Sequence, residues 1–91
     1  MSMYRKQYCV ANWKMYFTIS DITSFISEWK NKNLNNTHIK TILCPSFTNL
    51  NITSELLNDA RTEVGAQNVY YESEGPFTGE VSCAMLKEAG C

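Results

Sequence analysis

The sequence predicts an α/β fold built from three consecutive βα units, and three observations support this prediction. Short apolar runs that suit β-strands lie near residues 8–12, 39–44 and 62–66. Each run is followed by a segment with helical periodicity, near residues 20–31, 50–60 and 82–89. The runs recur about every 30 residues, which is typical of parallel strands joined by right-handed helical crossovers. We expect the 91 residues to form one domain, spanning 1–91, around a single core.

The first unit has the clearest pattern. Tyr8–Ala11 is apolar throughout, as expected for a strand that is covered on both faces. The following helix has apolar residues at the spacing i, i+3, i+4 and i+7, which places them on one face: Ile22, Phe25, Ile26 and Trp29. Thr18 or Ser20 can cap its amino end, and Asp21 suits the positive end of the helix dipole.

The second unit ends its strand at a proline. Pro45 lacks an amide N–H and fixes its own φ, so the strand near 39–44 is expected to stop before it. In the helix near 50–60, Ile52, Leu56 and Ala60 share one face, with Leu57 beside them. These residues are expected to pack against the sheet.

The third unit has a weaker strand and a long loop. The run near 62–66 is followed by the Gly65–Glu80 segment, and loops of that length in small domains are usually functional or disordered. Ser82 is expected to cap a short helix that turns Met85, Leu86 and Ala89 inward. Gly90 is a natural carboxyl-terminal stop for that helix.

Composition narrows the possible functions. The net charge is −1, so the chain offers no basic patch for nucleic acid or for an anionic membrane surface. No apolar stretch is long enough to span a bilayer, and residues 1–7 lack the apolar core of a secretion signal, so we expect a cytoplasmic protein. No GxGxxG motif follows the first strand, so no dinucleotide or other cofactor is expected.

Four cysteines occur, and none are at CxxC spacing: Cys9, Cys44, Cys83 and Cys91. A disulfide framework is one interpretation of an even number in a short chain. The absence of a secretion signal favours structural thiols instead, with Cys9 and Cys44 acting as small apolar residues within strands. No metal site is expected, because the spacing does not match that of a zinc site.

Asn12 and Lys14 are the residues best placed for chemistry. Both follow the first strand, and side chains at the carboxyl ends of parallel strands line the ligand crevice of α/β folds. A lysine ammonium there would attract a phosphate or an enolate, and an asparagine amide could donate a hydrogen bond and orient the lysine. Asn-x-Lys is too short to be specific, and from spacing alone a solvated turn lysine after a strand-end asparagine is the favoured interpretation.

Five segments in order resemble the triosephosphate isomerase family. They are Asn12–Met15, Cys44–Phe47, Gly65–Asn68, Phe77–Ser82 and Ala84–Lys87. The resemblance covers nearly the whole chain and corresponds to the amino-terminal third of the family, so it implies a partial (β/α)₈ barrel. The chain departs from the family at Cys83, because many members have proline at this position in the first helical turn. This difference concerns only helix stability.

The resemblance also implies roles for individual residues. In the family, the Asn-x-Lys pair binds the triose phosphate, so Asn12 and Lys14 are implied substrate-binding residues and Lys14 an electrostatic catalyst. The family's long third loop inserts into a second subunit beside the Asn-x-Lys region. This implies a homo-oligomer interface formed by Met15, Gln67, Asn68, Phe77, Thr78, Gly79 and Glu80. A folded-back loop with Phe77 as its own small core is the alternative.

The implied activity is the interconversion of glyceraldehyde 3-phosphate and dihydroxyacetone phosphate in glycolysis and gluconeogenesis. The family's glutamate base, neutral histidine and closing lid have no counterpart before Cys91, and His38 precedes the second strand, away from the chemistry. We therefore expect the chain alone to be catalytically silent and to self-associate through its long loop and open sheet edges. The alternatives are one part of a split isomerase, active only with a complementary segment, and a simple triose phosphate-binding module.

Overall fold

The computed structural model describes residues 5–32, 38–58 and 61–91 of the chain. Three strands form one parallel sheet in the order β1-β2-β3. The elements follow one another as β1 (Gln7–Asn12), α1 (Ile19–Lys30), β2 (Ile39–Cys44), a 3₁₀ turn (Phe47–Asn49), α2 (Leu50–Leu56), β3 (Thr62–Val64) and α3 (Cys83–Ala89). The predicted α/β class, with alternating βα units and parallel strands, is confirmed.

The strand register brings three strand ends to one side of the sheet. Asn12 pairs with Cys44, and Leu43 pairs with Val64. Because the strands are parallel, their carboxyl ends lie along the same edge, which we call the carboxyl edge. The segments that leave this edge are therefore neighbours in space although they are far apart in sequence.

Two elements end two or more residues earlier than the sequence predicts. β3 ends at Val64, not at residue 66, because Gly65 leaves the ladder after donating its N–H to the Leu43 carbonyl at 2.9 Å. α2 ends at Leu56, and Leu57 adopts the non-helical conformation of a cap. The predicted helix end at residue 60, with Ala60, lies outside the described residues.

The hydrophobic core lies between the sheet and the three helices. Its buried members come from all three helical segments and two strands: Ile22, Ile26, Leu43, Leu50, Leu57, Val64 and Leu86. Ile22 and Ile26 are the most deeply buried, as the α1 periodicity predicts, and Phe25 and Trp29 pack beside them. Right-handed crossovers place successive helices on the same side of a parallel sheet, which explains why one cluster includes all of them.

The opposite face of the sheet is open, so the predicted two-sided burial of β1 is wrong. Tyr8 and Val10 are 59% and 57% exposed, and Cys9 is also exposed at the edge of the sheet. The same open face carries an ion pair between Lys40 and Glu63, with 2.7 Å between Nζ and Oε1. Burial of β1 would require a further layer against it, and none of the described elements supplies one.

The buried face of α2 is only partly the one that the sequence predicts, because Leu57 is buried as expected but Leu50 and Thr53 are buried as well. Leu50, Thr53 and Leu57 point into the core, whereas Ile52 and Leu56 are only partly buried. A 3₁₀ turn, Phe47–Asn49, directly precedes the helix. Thr53 tolerates complete burial because its hydroxyl donates to the Asn49 carbonyl at 2.6 Å.

The ends of α3 follow the prediction, but its inward face does not. The Ser82 hydroxyl accepts a hydrogen bond from the Met85 N–H, and Gly90 has a left-handed φ of 110°. Leu86 is buried and Ala89 packs against the core. Met85 is 55% exposed, so its predicted burial is wrong, because it lies towards the long loop and not over the sheet.

Thr18, and not Ser20, is the cap of α1. Its hydroxyl accepts from the Asp21 N–H at 3.3 Å, and the Asp21 carboxylate accepts from the Thr18 N–H at 3.0 Å, which completes a capping box. The backbone and then the hydroxyl of Thr18 hold the pKa of Asp21 below its ordinary value of 3.8. Ser20 lies inside the first helical turn.

Thr18→Ala is expected to lower the free energy of unfolding by about 1 kcal/mol, the usual value of such a cap. Ser20→Ala is the matched control and should have little effect, because Ser20 makes no capping bond. Because the pKa of Asp21 is lowered by folding, its contribution is complete above the carboxyl's ordinary pKa and is lost as pH falls through the lowered one. Urea unfolding at neutral and acidic pH measures both effects, and equal losses in the two variants would contradict the assignment of the cap.

Candidate functional site

Lys14 lies in an unusual backbone conformation directly after β1. Its φ is 54°, in the left-handed region that side-chain-bearing residues rarely adopt. The Lys14 N–H donates to Asn12 Oδ1 at 2.9 Å, which closes a tight turn at the strand end. The Asn12 side chain therefore holds the Lys14 backbone at the carboxyl edge, and the substrate-binding role of the two residues stays a prediction.

The carbonyl of Lys14 is held by side chains from the ends of the other two strands. Gln67 Nε2 donates to it at 2.8 Å, and Ser46 Oγ donates to it at 3.1 Å. Gln67 Nε2 also donates to the Cys44 carbonyl at 2.8 Å. One amide thus joins the turn after β1, the last residue of β2 and the segment after β3, and it fixes the Lys14 turn to the sheet.

The rest of the segment between β1 and α1 is fixed by a second polar contact and by aromatic packing. Phe17 also has a positive φ, 77°, and its carbonyl accepts from Asn49 Nδ2 at 2.9 Å. Its ring lies edge-on to Trp13, with 4.9 Å between the ring centroids, and Trp13 in turn contacts Phe25 of α1. This loop is therefore ordered by the core, and the Lys14 turn is supported from both sides.

The electrostatic environment of Lys14 suits an anionic ligand. The side chain is exposed, and within the described residues it makes no ion pair; the ion pair resolved there joins Lys40 and Glu63. Asn12 uses its carbonyl oxygen on the Lys14 N–H, which leaves its amide nitrogen to donate. An ammonium and an amide donor on one rigid turn can together bind a phosphate or a developing oxyanion.

Cys44 contributes packing and not charge to the carboxyl edge. Burial raises the pKa of its thiol above the ordinary value of 9.0, while the Gly65 backbone lowers it to a smaller extent. The thiol is therefore neutral near pH 7. A Cβ on Gly65 would come within 3.0 Å of Cys44 Sγ, so a small residue at position 65 allows the two strand ends to approach.

The Gly65–Glu80 loop has internal order of its own. The Tyr70 N–H donates to the Val81 carbonyl at 2.8 Å and closes the base, and a tight turn joins the Phe77 N–H to the Gly75 carbonyl. The Tyr70 and Phe77 rings lie 4.7 Å apart between centroids. Hydrogen bonding to Tyr71 raises the pKa of Tyr70, with smaller contributions from burial and from Glu80.

The remaining predicted interface residues are exposed or at the loop surface. Met15 is 92% exposed, Phe77 is 36% exposed, and the following loop positions are exposed as well: Asn68, Thr78, Gly79 and Glu80. Gln67 differs from them because it is partly buried and its amide nitrogen is bonded within its own chain. The interface role of this set stays a prediction.

The other candidate groups are His38 and two carboxylates of the long loop. His38 directly precedes β2, at the opposite end of the strands, and its carbonyl accepts from the Gln7 N–H. Glu72 and Glu74 are exposed on the long loop. In the described part of the chain, no three His, Cys, Asp or Glu side chains are placed to share a metal ion. None of the described helices has the length and apolar character needed to cross a bilayer.

Comparison with known proteins identifies the family. The family model for triosephosphate isomerase matches residues 7–91, which include all three βα units. The chain belongs to the triosephosphate isomerase family. The resemblance noted in the sequence is thereby confirmed, and the three parallel βα units are those of a partial (β/α)₈ barrel.

Individual relatives agree with this assignment. The chain is 41% identical over 87 residues to the triosephosphate isomerase of Dictyoglomus turgidum, which covers 96% of this chain and 35% of the relative. It is 44% identical over 82 residues to that of a Wolbachia strain from Brugia malayi, covering 90% and 34%. For Aquifex aeolicus, the identity is 37% over 81 residues, covering 89% and 33%. The chain thus spans about a third of the length of these triosephosphate isomerases.

Sequence reasoning missed two residues that support the site. Ser46 and Asn49 hold the carbonyls of Lys14 and Phe17, and neither belongs to the predicted set. Ser46 follows the end of β2 as Lys14 follows the end of β1, so the rule that strand ends line the crevice applies to it equally. Asn49 gives no such signal, because its role depends on the packing of the 3₁₀ turn against the first loop.

Proposed function

We propose that this chain supplies the substrate-binding turn for the interconversion of glyceraldehyde 3-phosphate and dihydroxyacetone phosphate. The observation that carries the proposal is the Lys14 turn, whose N–H and C=O are both held by side chains. In this proposal the Lys14 ammonium binds substrate oxygens and stabilises the negative charge that develops on them, and the Asn12 amide donates a second hydrogen bond. The reaction belongs to glycolysis and gluconeogenesis.

We further propose that the 91-residue polypeptide by itself does not catalyse this reaction. Three strands leave the sheet open, and a lysine on an exposed turn is strongly screened by water. His38 precedes β2, at the opposite end of the strands from the turn, and the Glu72 and Glu74 carboxylates are exposed on the long loop, so none of these described groups suits the general base. A closed barrel needs about eight strands, and charge stabilisation is much stronger when water is excluded.

Self-association through the long loop and the sheet edges is part of the same proposal. The exposed apolar residues of the first and third loops support it: Met15, Tyr16, Phe17, Val69, Tyr71 and Phe77. The sheet alone is too small, because six residues at about 3.3 Å and three strands at about 4.8 Å give a face of about 300 Å². A standard interface buries about 800 Å² on each partner, so the loops have to contribute most of the contact.

A complementary segment is the second candidate partner, and a groove beside β3 favours it. The groove has a volume of about 440 Å³ and is lined by Leu57, Thr62, Val64, Gly90 and Cys91, among others. It lies between β3 and the ends of α2 and α3. β3 is an edge strand of the sheet, and a further parallel strand beside it would complete its backbone hydrogen bonds. Two copies of the chain supply six strands and three supply nine, so copies alone do not add up to the usual eight.

The cellular location is proposed to be the cytoplasm. All four cysteines are free thiols in the structure. A reducing compartment keeps such thiols unpaired.

Isomerase turnover by the purified polypeptide tests the proposal. We expect no turnover of glyceraldehyde 3-phosphate above the level of a Lys14→Ala preparation purified in the same way. Turnover that Lys14→Ala abolishes would overturn the claim that the polypeptide alone is silent. Light scattering at micromolar concentration should show a species larger than one chain, and a stable monomer would refute self-association.

A further inference from the structure

We propose that Gln67 is a positioning residue for Lys14: its side-chain amide keeps the Lys14 peptide in the left-handed conformation that presents the ammonium at the carboxyl edge. The importance of that ammonium for substrate rests on the proposed function. The conformational claim stands on the contacts of Gln67 alone. It gives Gln67 a role within its own chain, beyond the interface role that the family resemblance implies.

The backbone of Lys14 needs an external restraint. A residue with a Cβ at positive φ is disfavoured because the Cβ approaches the neighbouring carbonyl oxygen, and Lys14 has a φ of 54°. Such conformations persist only where surrounding contacts determine them. The tight turn with Asn12 restrains the N–H side of the residue. Its carbonyl side depends on groups from elsewhere in the fold.

Gln67 supplies the main restraint on that carbonyl. One nitrogen, Nε2, lies 2.8 Å from the Lys14 oxygen and 2.8 Å from the Cys44 oxygen. The Cys44 carbonyl belongs to the end of β2, which is fixed in the ladder between β1 and β3. Because both bonds come from one planar amide, the Lys14 carbonyl is held in a fixed position relative to the sheet.

A contact from Ser46 supports the restraint of the Lys14 carbonyl, because the Ser46 hydroxyl donates to the same oxygen. Ser46 is the amino-terminal cap residue of the 3₁₀ turn, where serine usually accepts a backbone hydrogen bond. Here its side chain makes no capping bond and instead donates to the Lys14 carbonyl at 3.1 Å. Two side chains from different strand ends thus converge on one backbone oxygen.

The chemistry of the contact requires an amide and not merely a side chain of the same size. Both partners are carbonyl oxygens, which only accept, so the side chain has to donate two hydrogen bonds, as an NH₂ group does. The Gln67 amide nitrogen donates both hydrogen bonds to backbone carbonyls of its own chain. Methionine at this position would have a similar shape with no donor, and it therefore separates packing from hydrogen bonding.

NMR of the isotope-labelled polypeptide tests the conformational claim. In Gln67→Met we expect the scalar coupling and chemical shifts of Lys14 to lose the signature of positive φ. Gln7→Met is the matched control, since Gln7 is exposed at the other end of β1, and it should leave Lys14 unchanged. A Lys14 residue that keeps its positive φ in Gln67→Met would overturn the proposal.

A measurement on the unmodified chain covers the case in which Gln67→Met does not fold. The side-chain amide protons of Gln67 should exchange with solvent at least tenfold more slowly than those of Gln7, because the structure bonds the former to two carbonyls. Equal exchange rates would overturn the proposal without any substitution.

Titration with dihydroxyacetone phosphate links the conformation to the ligand. We expect the Lys14 signals to shift on addition, and the dissociation constant to rise about tenfold in Gln67→Met. An unchanged dissociation constant, with Lys14 displaced, would contradict the positioning role. If the wild-type Lys14 signals do not shift at all, the proposed function fails, and the exchange and coupling data still decide whether Gln67 holds the turn.

Discussion

Replacing Lys14 by methionine is expected to lower turnover about 100- to 1,000-fold in a full-length chimera, the usual loss when one donor to a developing oxyanion is removed. The chimera would carry this chain in place of the matching 87 residues of the Dictyoglomus turgidum triosephosphate isomerase. Methionine keeps most of the side-chain volume and removes the positive charge. The loss should therefore report electrostatics and not packing. Steady-state kinetics with glyceraldehyde 3-phosphate measures it.

Lys32→Met provides the matched control for this substitution. Lys32 is exposed and follows the carboxyl-terminal end of α1, so the whole helix separates it in sequence from the Lys14 turn. Its replacement changes the net charge by the same amount, so long-range charge effects are equal in both variants. Turnover of Lys32→Met should match that of the parent chimera. A similar loss in the two variants would show that Lys14 acts only through overall charge.

Gly90→Ala is expected to be the most damaging single substitution at a glycine. Gly90 has a φ of 110°, and a Cβ there would overlap Oγ and Cβ of Ser54 on α2. The left-handed backbone costs about 1–2 kcal/mol for a residue with a Cβ, and forced overpacking adds about 1–3 kcal/mol. Since small domains have little stability to lose, we expect the free energy of unfolding to fall by about 2–5 kcal/mol in urea titrations.

Gly79→Ala separates the two contributions. Gly79 has a φ of 89°, but a Cβ there would meet nothing within 4 Å. Its replacement should therefore show the backbone cost alone, about 1–2 kcal/mol. The difference between the two variants measures the close approach of the α3 end to Ser54. Equal losses would mean that Gly90 is required for its φ and not for the packing of α3 against α2.

Most of the fold follows from local patterns, and the exceptions have a common cause. The spacing of Ile22 and Ile26 predicts the buried face of α1, and the glycine at position 90 predicts the end of α3. Periodicity within one element does not show what covers it from outside. Tyr8 and Val10 have the apolar character of a buried strand, yet they are exposed because nothing in the described structure packs against that face.

Helix rotation is the second limit of the sequence analysis. The Ile52–Leu56 stripe of α2 is a reasonable apolar face, but the structure buries Leu50, Thr53 and Leu57, of which only Leu57 belongs to the predicted set. An apolar pattern does not predict burial of Thr53, because threonine is polar. Its hydroxyl can be buried because it donates a hydrogen bond to the Asn49 carbonyl. Short helices are especially prone to this error, since few residues define the face.

The site is predictable to the extent that strand ends are predictable. The position of Asn12 and Lys14 after β1 indicates their place at the carboxyl edge. The positive φ of Lys14 and the contact from Gln67 do not follow from any local pattern. Gln67 lies far along the chain from Lys14, and only the parallel register of the three strands brings the two together. Backbone conformation and long-range side-chain contacts therefore had to come from the structure.

A crystal structure of the chimera with dihydroxyacetone phosphate bound would test most directly whether the Lys14 turn binds the substrate. We predict that Lys14 Nζ and Asn12 Nδ2 lie within hydrogen-bonding distance of substrate oxygens, about 2.7–3.2 Å, while the Lys14 φ stays positive. A substrate bound in the barrel with Lys14 directed to solvent and Asn12 without contact to it would contradict the proposed function.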